Sequence, residues 1–145
     1  LKDPYFSIMT PKSTGRDYFN LDWFLKHQTN TATTPEDLMT TAAELTAISI
    51  AQAITKTSNT LPQQADVPVW MCGGGALNPY LIKRLQHHLP NHAVQSSQAK
   101  GIDPNAIEAM LFAWLAKQRL ENQAIALHAT TGASRDAVLG GIWHP

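Results

Sequence analysis

The sequence predicts an α/β fold that is rich in helices and built around a parallel β-α-β unit. The run Val67–Cys72 is short, apolar and rich in strand-forming residues, which is typical of a strand buried on both faces of a parallel sheet. A helix predicted from Pro79 to about Leu89 leads from it to a second short strand over His92–Ser96. Because such a unit places both strands parallel, the loops that follow the two strands meet at one edge of the sheet.

Residues 1–34 have no long periodic pattern and are interpreted as a lead-in loop with a short helix near Asp22–His27. The segment Pro11–Asn20 can be interpreted in two ways. In one, it is a solvated loop whose aromatic residues Tyr18 and Phe19 dock on the core, and the residues by themselves favour this. In the other, the segment binds phosphate through basic and hydroxyl side chains. Those side chains belong to Lys12, Ser13, Thr14 and Arg16.

Residues 35–145 are predicted to hold the α-β-α-β-α core and the tail of a single domain that spans 1–145. Thr34 and Pro35 form a helix start, and the helix should extend to about Thr57 with many alanines, which suggests close packing on a sheet. A last long helix should begin at the cap Asp103, followed by Pro104, and end near Leu120. Its apolar face is predicted from Ile107, Met110, Leu111, Trp114 and Leu115.

The glycine run Gly73–Gly75 lies between the first predicted strand and a helix start at Asn78 and Pro79. A tight turn explains such glycines equally well as a phosphate or nucleotide site at the carboxyl end of a strand. The phosphate loop GxxxxGK[ST] is absent, and the dinucleotide pattern GxGxxG fails because Asn78 occupies its third position. A nicotinamide enzyme is therefore not expected, although the glycines would let a flat adenosine lie against the backbone.

Glu108 is a carboxylate at the head of an apolar stripe formed by Leu111, Phe112 and Leu115. Such a carboxylate must be paired, exposed at the helix tip, or used in binding. An acidic residue in a first helical turn is also favoured by the helix dipole alone, so both interpretations stay open.

Composition excludes several kinds of partner. The formal net charge is zero, so neither nucleic acid nor an anionic membrane is expected, and no apolar run reaches membrane-spanning length. Cys72 is the single cysteine, cannot form an internal disulfide, and is compatible with a reducing compartment. His88 and His92 have a metal-like spacing, but Pro90 breaks the helix between them, and no metal site is expected. The first residue is Leu1 rather than Met, which suggests a segment of a longer protein, or a processed or tag-trimmed chain.

Four segments in order resemble the carboxyl-terminal half of anhydro-N-acetylmuramic acid kinases. They are PKSTGRDYFN at 11–20, TAAELTA at 41–47, VPVWMCGGGALNPYLIKRL at 67–85 and GIDPNAIEAMLFAWLA at 101–116, and the closing TGAS and VLGGIWHP also fit. The resemblance implies the carboxyl-terminal lobe of an actin-like, ribonuclease H-like ATPase fold, with only part of its sheet in this chain. It also implies a cytoplasmic, usually homodimeric enzyme of peptidoglycan recycling. With ATP, Mg²⁺ and water, it would convert 1,6-anhydro-N-acetylmuramic acid to N-acetylmuramic acid 6-phosphate.

The resemblance also implies roles for particular residues. Gly73, Gly74, Gly75 and Asn78 match the family's GGGAxNP loop, taken to lie by the nucleotide. Glu108 is the implied sugar-hydroxyl contact, and Thr14, Gly15 and Arg16 match the STGR segment, a possible nucleotide or phosphate contact.

The family's DTGPGN motif, which holds the general-base aspartate, is absent from this chain. No catalytic residue is therefore assigned, and the chain alone is expected to be inactive. A noncatalytic nucleotide-binding or assembly module of the same fold is the alternative.

Overall fold

The computed structural model describes residues 2–9, 11–29, 32–58 and 67–143. Contacts divide the chain into two compact units, one of Lys26–Ile107 and one of Lys2–Leu25 with Glu108–Pro145. The assignment of residues 1–145 to one domain, with a lead-in over 1–34 and a core and tail over 35–145, stays a prediction.

The first unit contains the predicted parallel β-α-β arrangement. Its elements are α2 (Pro35–Ser58), β1 (Val69–Met71), α3 (Pro79–His88) and β2 (Val94–Ser96), and α1 (Leu21–Lys26) precedes them. The two strands pair in parallel, with Val69 opposite Val94 and Met71 opposite Ser96. An α/β fold with a parallel sheet is thereby confirmed. The sequence predicts a polar loop over Thr57–Asp66 between α2 and β1. Its residues 59–66 lie outside the described part of the chain.

Side-chain caps begin the helices where the sequence predicts. The Asn78 Oδ1 atom accepts hydrogen bonds from the backbone N–H groups of Tyr80 (3.0 Å) and Leu81 (3.2 Å). Thr34 Oγ1 accepts one from the backbone N–H of Asp37 at 3.2 Å. Asp103 also caps as expected, but a 3-10 turn over Pro104–Ala106 intervenes before α4 (Ile107–Leu120) begins.

The core of the first unit lies between α2, α3 and the two strands. Leu85 and Leu89 are each 1% exposed, and they form a buried cluster with Ala51 and Val94. The alanines of α2 were expected to pack on a sheet, but this helix packs chiefly against α3. Ala47 is wholly buried, because a methyl side chain lets two helices approach closely.

The strand β1 is shorter and more exposed than predicted. Val69 and Met71 pack against the core, whereas the alternate residue Trp70 is 39% exposed and has the Lys100 Nζ atom 5.2 Å from its ring centroid. Cys72, expected to be buried, is exposed. Burial on both faces needs layers on both sides of a sheet, and in the described residues the core covers only the face that carries Val69 and Met71.

The second unit includes an aromatic cluster in the lead-in segment. Phe19 packs edge-on against Tyr5, Tyr18 and Trp23, with ring centroids 4.8–5.0 Å apart. The Asp3 carboxylate accepts hydrogen bonds from the Tyr18 hydroxyl at 3.1 Å and from Trp23 Nε1 at 2.9 Å. Tyr18 and Phe19 are therefore anchored within the lead-in segment, and Tyr18 is 45% exposed.

The remainder of this unit is α4 and the tail, where a short helix α5 (His128–Thr131) was not predicted. Of the apolar face expected on α4, Met110, Leu111 and Trp114 are 54%, 50% and 47% exposed, whereas Ile107 and Leu115 are half-buried. Over the described part of the chain, no helix combines the length and apolarity that spanning a membrane requires.

Candidate functional site

The glycine run follows directly after β1 and turns the chain into α3. Gly73 has φ 69° and ψ −171°, a conformation that side chains disfavour, and a 3-10 turn over Gly74–Leu77 follows it. The backbone N–H of Gly73 donates to the carbonyl of Pro104 at 2.8 Å, and that of Ala76 donates to the carbonyl of Gly73 at 3.1 Å. The loop is therefore held at the carboxyl end of β1.

The surroundings of the three glycines differ in a way that bears on the turn-only interpretation. A Cβ atom at Gly73 or Gly74 would meet nothing within 4 Å, and one at Gly75 would lie 3.5 Å from Leu81 Cδ2. Gly74 is not among the glycines with positive φ. A tight turn therefore explains Gly73, whereas neither backbone conformation nor packing within the described residues requires glycine at 74.

The donors offered by this loop also differ from expectation. The helix start that the sequence predicts at Asn78 should present backbone N–H groups that are free to bind a ligand. In the structure, the N–H groups of Tyr80 and Leu81 instead donate hydrogen bonds to the Asn78 side chain. Within residues 67–143, no acceptor is hydrogen-bonded to the N–H of Gly74 or Gly75. Because the N–H of Gly73 donates to Pro104, the backbone donors that this loop can offer a ligand are those of Gly74 and Gly75.

A groove that the sequence did not predict adjoins the loop. It has a volume of about 370 Å³ and lies between α2 and the start of α3. Its lining residues are Met39, Thr40, Ala42, Ala43, Thr46, Asn78, Tyr80 and Leu81. The signal available in the sequence was the run of small residues in TAAELTA, which was assigned instead to packing on a sheet.

An ionic network joins the two helices that form this groove. Arg84 donates from Nε and Nη2 to the two carboxylate oxygens of Glu44 at 2.6 and 2.8 Å, and His88 Nε2 lies 2.7 Å from the same carboxylate. The helical periodicity of the segment after Pro79 predicts that Lys83 and Arg84 point outward, but the side chain of Arg84 is only 29% exposed. The bonds from Arg84, and secondarily from His88, lower the pKa of Glu44 to about 2. This network fixes α3 against α2.

The other predicted site residues belong to the second unit. Glu108 is the second residue of α4 and is exposed, and its carboxylate has no hydrogen bond or salt bridge with the described residues. Thr14, Gly15 and Arg16 are also exposed. Lys12, considered above as a phosphate ligand, instead donates to the carbonyl of Tyr5 at 3.2 Å and lies over its ring.

Potential metal ligands are dispersed. Among the residues that the structure describes, no group of three or more His, Cys, Asp or Glu side chains could hold a metal ion. His92 Nδ1 lies 2.9 Å from the carbonyl of Val67, and His88 is paired with Glu44. Both histidines with the metal-like spacing thus have protein partners within the described part of the chain.

Comparison with known proteins connects this geometry to one family. The family profile described as anhydro-N-acetylmuramic acid kinase matches residues 1–145. Curated proteins named anhydro-N-acetylmuramic acid kinase are 47% identical in Saccharophagus degradans, 46% in Hydrogenovibrio crunogenus and 45% in Xylella fastidiosa, each matching 100% of this chain. The chain spans 36–38% of the length of these relatives, which is consistent with the expected resemblance to the family's carboxyl-terminal half.

The profile match is continuous over the four segments that carried the resemblance. It includes the glycine loop, the helix that begins at Pro79 and the helix that carries Glu108. The chain belongs to the anhydro-N-acetylmuramic acid kinase family.

Proposed function

We propose that this chain is the carboxyl-terminal, nucleotide-binding part of a sugar kinase with an actin-like fold. The complete enzyme would use ATP and water to cleave 1,6-anhydro-N-acetylmuramic acid and phosphorylate it to N-acetylmuramic acid 6-phosphate. The observation that carries the assignment of the nucleotide is the open backbone of Gly74, which follows the carboxyl end of β1. The groove that Asn78 and Leu81 help to line supports it. Family membership supports the reaction class.

The adenosine of ATP is proposed to lie against the backbone of Gly73–Gly75 and to extend into the groove. Among the described residues, no atom lies within 4 Å of where a Cβ of residue 74 would stand, so a flat ring can reach van der Waals contact with the backbone. Met39 and Leu81 offer apolar contacts in the groove, and the groove volume is of the size that small-molecule sites have. Asn78 acts by positioning, because its cap holds the start of α3 in place.

The sugar and phosphate contacts are proposed from the side chains that the fold leaves exposed. A carboxylate accepts two hydrogen bonds, so Glu108 can bind neighbouring sugar hydroxyls. The guanidinium of Arg16, with Thr14 and Gly15 beside it, suits a phosphate. Mg²⁺ would accompany ATP and offset charge on its phosphates.

The chain lacks the DTGPGN motif, so its general base would come from outside the segment. We therefore propose that the chain alone has no kinase activity. The complete enzyme is proposed to be a cytoplasmic homodimer that takes part in peptidoglycan recycling.

The test compares this chain with a joined polypeptide. In the joined polypeptide, the chain replaces the matched 38% of the Saccharophagus degradans relative. Each protein is incubated with MgATP and the anhydro sugar, and sugar phosphate is measured by mass spectrometry. We expect product from the joined polypeptide and none from this chain above a control without enzyme. Product from this chain alone would contradict the assignment of the general base.

A noncatalytic nucleotide-binding or assembly module is the second candidate, because the chain carries the glycine loop without the base motif. The same experiment separates the two functions when ATP binding is measured in parallel by calorimetry. A folded joined polypeptide that binds ATP but forms no sugar phosphate would favour the module over the kinase.

A further inference from the structure

Over residues 109–116 the helix α4 carries only apolar residues, and most of its large apolar side chains are exposed, whereas Ile107 and Leu115 are half-buried. Phe112 is 61% exposed and Leu120 is 75% exposed, in addition to Met110, Leu111 and Trp114 on the same helix. At 100° per residue, Met110 and Phe112 are about 200° apart around the axis, and Leu111 and Leu120 are about 180° apart. Helices that are apolar all round are normally buried in the interior of a protein.

The small residues of α4 add a second feature. Ala109, Ala113 and Ala116 recur at intervals of four and three residues, so they lie along one side of the helix, and all three are exposed. A side formed by methyl groups lets another backbone approach closely. Single apolar residues on a surface are ordinary, but a helix with large apolar side chains exposed on opposite sides is not.

We propose that α4 is an interior helix of the complete kinase. The occupant of its surface is the part of the polypeptide that the relatives have outside the segment matched here. Each of those relatives has roughly three-fifths of its length outside the match, since the chain covers 36–38% of it. Such a length is sufficient for further structural layers around a helix.

A second copy of this chain is the less suitable occupant. A twofold-symmetric partner covers one patch of a helix, because the same surface is used on both subunits. Met110 and Phe112 lie on opposite sides, so one flat partner cannot cover both. Polypeptide that surrounds the helix can cover them together.

Thiol accessibility tests the proposal. In a Cys72→Ser background, Met110→Cys and Phe112→Cys are labelled with a maleimide in this chain and in the joined polypeptide described above. Lys83→Cys is the matched control, because Lys83 is an exposed charged residue on α3. Folding of each protein is checked by circular dichroism.

We expect labelling of both α4 cysteines to slow by about tenfold or more in the joined polypeptide, while labelling of the control changes little. Equal rates in the two proteins, or protection of only one α4 position, would overturn the proposal. Labelling is repeated at two concentrations of this chain alone. Protection that grows with concentration would assign the surface to a second copy instead.

A second measurement remains informative if the covalent joint disturbs folding. The two parts are co-expressed as separate polypeptides, and their co-purification is compared for the unchanged chain and Phe112→Glu. Loss of co-purification with Phe112→Glu, but not with Lys83→Glu, supports the proposal, and retention with both overturns it. The proposal for α4 depends on family membership rather than on the proposed reaction, and neither measurement uses activity. Failure of the proposal for α4 therefore leaves the proposed reaction intact, and failure of the proposed reaction leaves the proposal for α4 intact.

Discussion

Replacement of Gly74 by valine separates the two interpretations of the glycine loop. Nothing within 4 Å would meet a Cβ atom at this position, and Gly74 is not among the residues with positive φ. If the loop is only a turn, valine should be tolerated without consequence. If adenosine packs on the loop, the valine side chain occupies the space of the ligand.

The expected magnitudes follow from this geometry. For Gly74→Val we expect the free energy of unfolding to change by no more than about 0.5 kcal/mol, as for other surface substitutions without contacts. For Gly73→Ala, at φ 69° and ψ −171°, a region of the backbone map that is essentially restricted to glycine, we expect a loss of about 1–3 kcal/mol from backbone strain alone. Displacement of the adenosine should raise the Michaelis constant for ATP by about tenfold or more, which corresponds to about 1.4 kcal/mol.

The assay measures ATP kinetics in the joined polypeptide and urea unfolding in this chain, for both variants. Gly74→Val should alter ATP kinetics without altering stability, whereas Gly73→Ala should lower stability. A Gly74→Val enzyme that is well folded and has an unchanged Michaelis constant for ATP would refute the reasoning. It would return the glycines to a turn without a ligand.

Three further predictions concern the sugar contact, the core and the ionic network. Glu108→Gln should cause a small loss of kcat/KM for the sugar and Glu108→Ala a larger one, with ATP kinetics and Tm unchanged; a lower Tm with normal sugar kinetics would make the residue purely structural. Leu85→Ala should lower the free energy of unfolding of this chain by about 2–5 kcal/mol, since Leu85 is 1% exposed. Leu111 is exposed, so Leu111→Ala should change the same free energy by at most about 0.5 kcal/mol. Equal losses in urea unfolding would contradict the burial pattern. The pKa of Glu44 is lowered from 4.5 to about 2, so its contribution to stability is complete above pH 4.5 and is lost as the pH falls towards 2. Glu44→Gln should therefore flatten the pH dependence of the unfolding free energy in that interval. An unchanged slope would show that the network is not maintained in solution.

Local chemistry explains the features of the fold that could be predicted without coordinates. Asn78 and Thr34 begin their helices as expected, because a cap depends on side chains within three residues of one another. The parallel pairing of β1 and β2 was also predicted, since a short strand-helix-strand segment has few alternatives. The glycine loop was located for the same reason, whereas its role as a nucleotide site stays a prediction.

Features that depend on distant contacts were misjudged or missed. Trp70 and Cys72 were expected to be buried because they are part of an apolar run, but burial depends on what covers each face of the strand. Arg84 was assigned to solvent by helical periodicity, and its pairing with Glu44 joins residues 40 positions apart. The groove beside the glycine loop was missed because its walls come from two helices. The apolar periodicity of each helix does not specify how the two helices pack together.

The sequence by itself thus determined where α2 and α3 begin, the parallel unit, and the family to which the chain belongs, because each of these is encoded in residues close together or in motif order. Only the tertiary structure decided which apolar residues are covered, which charges are paired, and which glycine is not required by its own turn. Those properties are set by the free energy of contacts between distant segments, which no local pattern records. The exposed apolar side chains of α4 show the difference. That these residues are apolar is evident in the sequence, but that they are exposed is evident only in three dimensions.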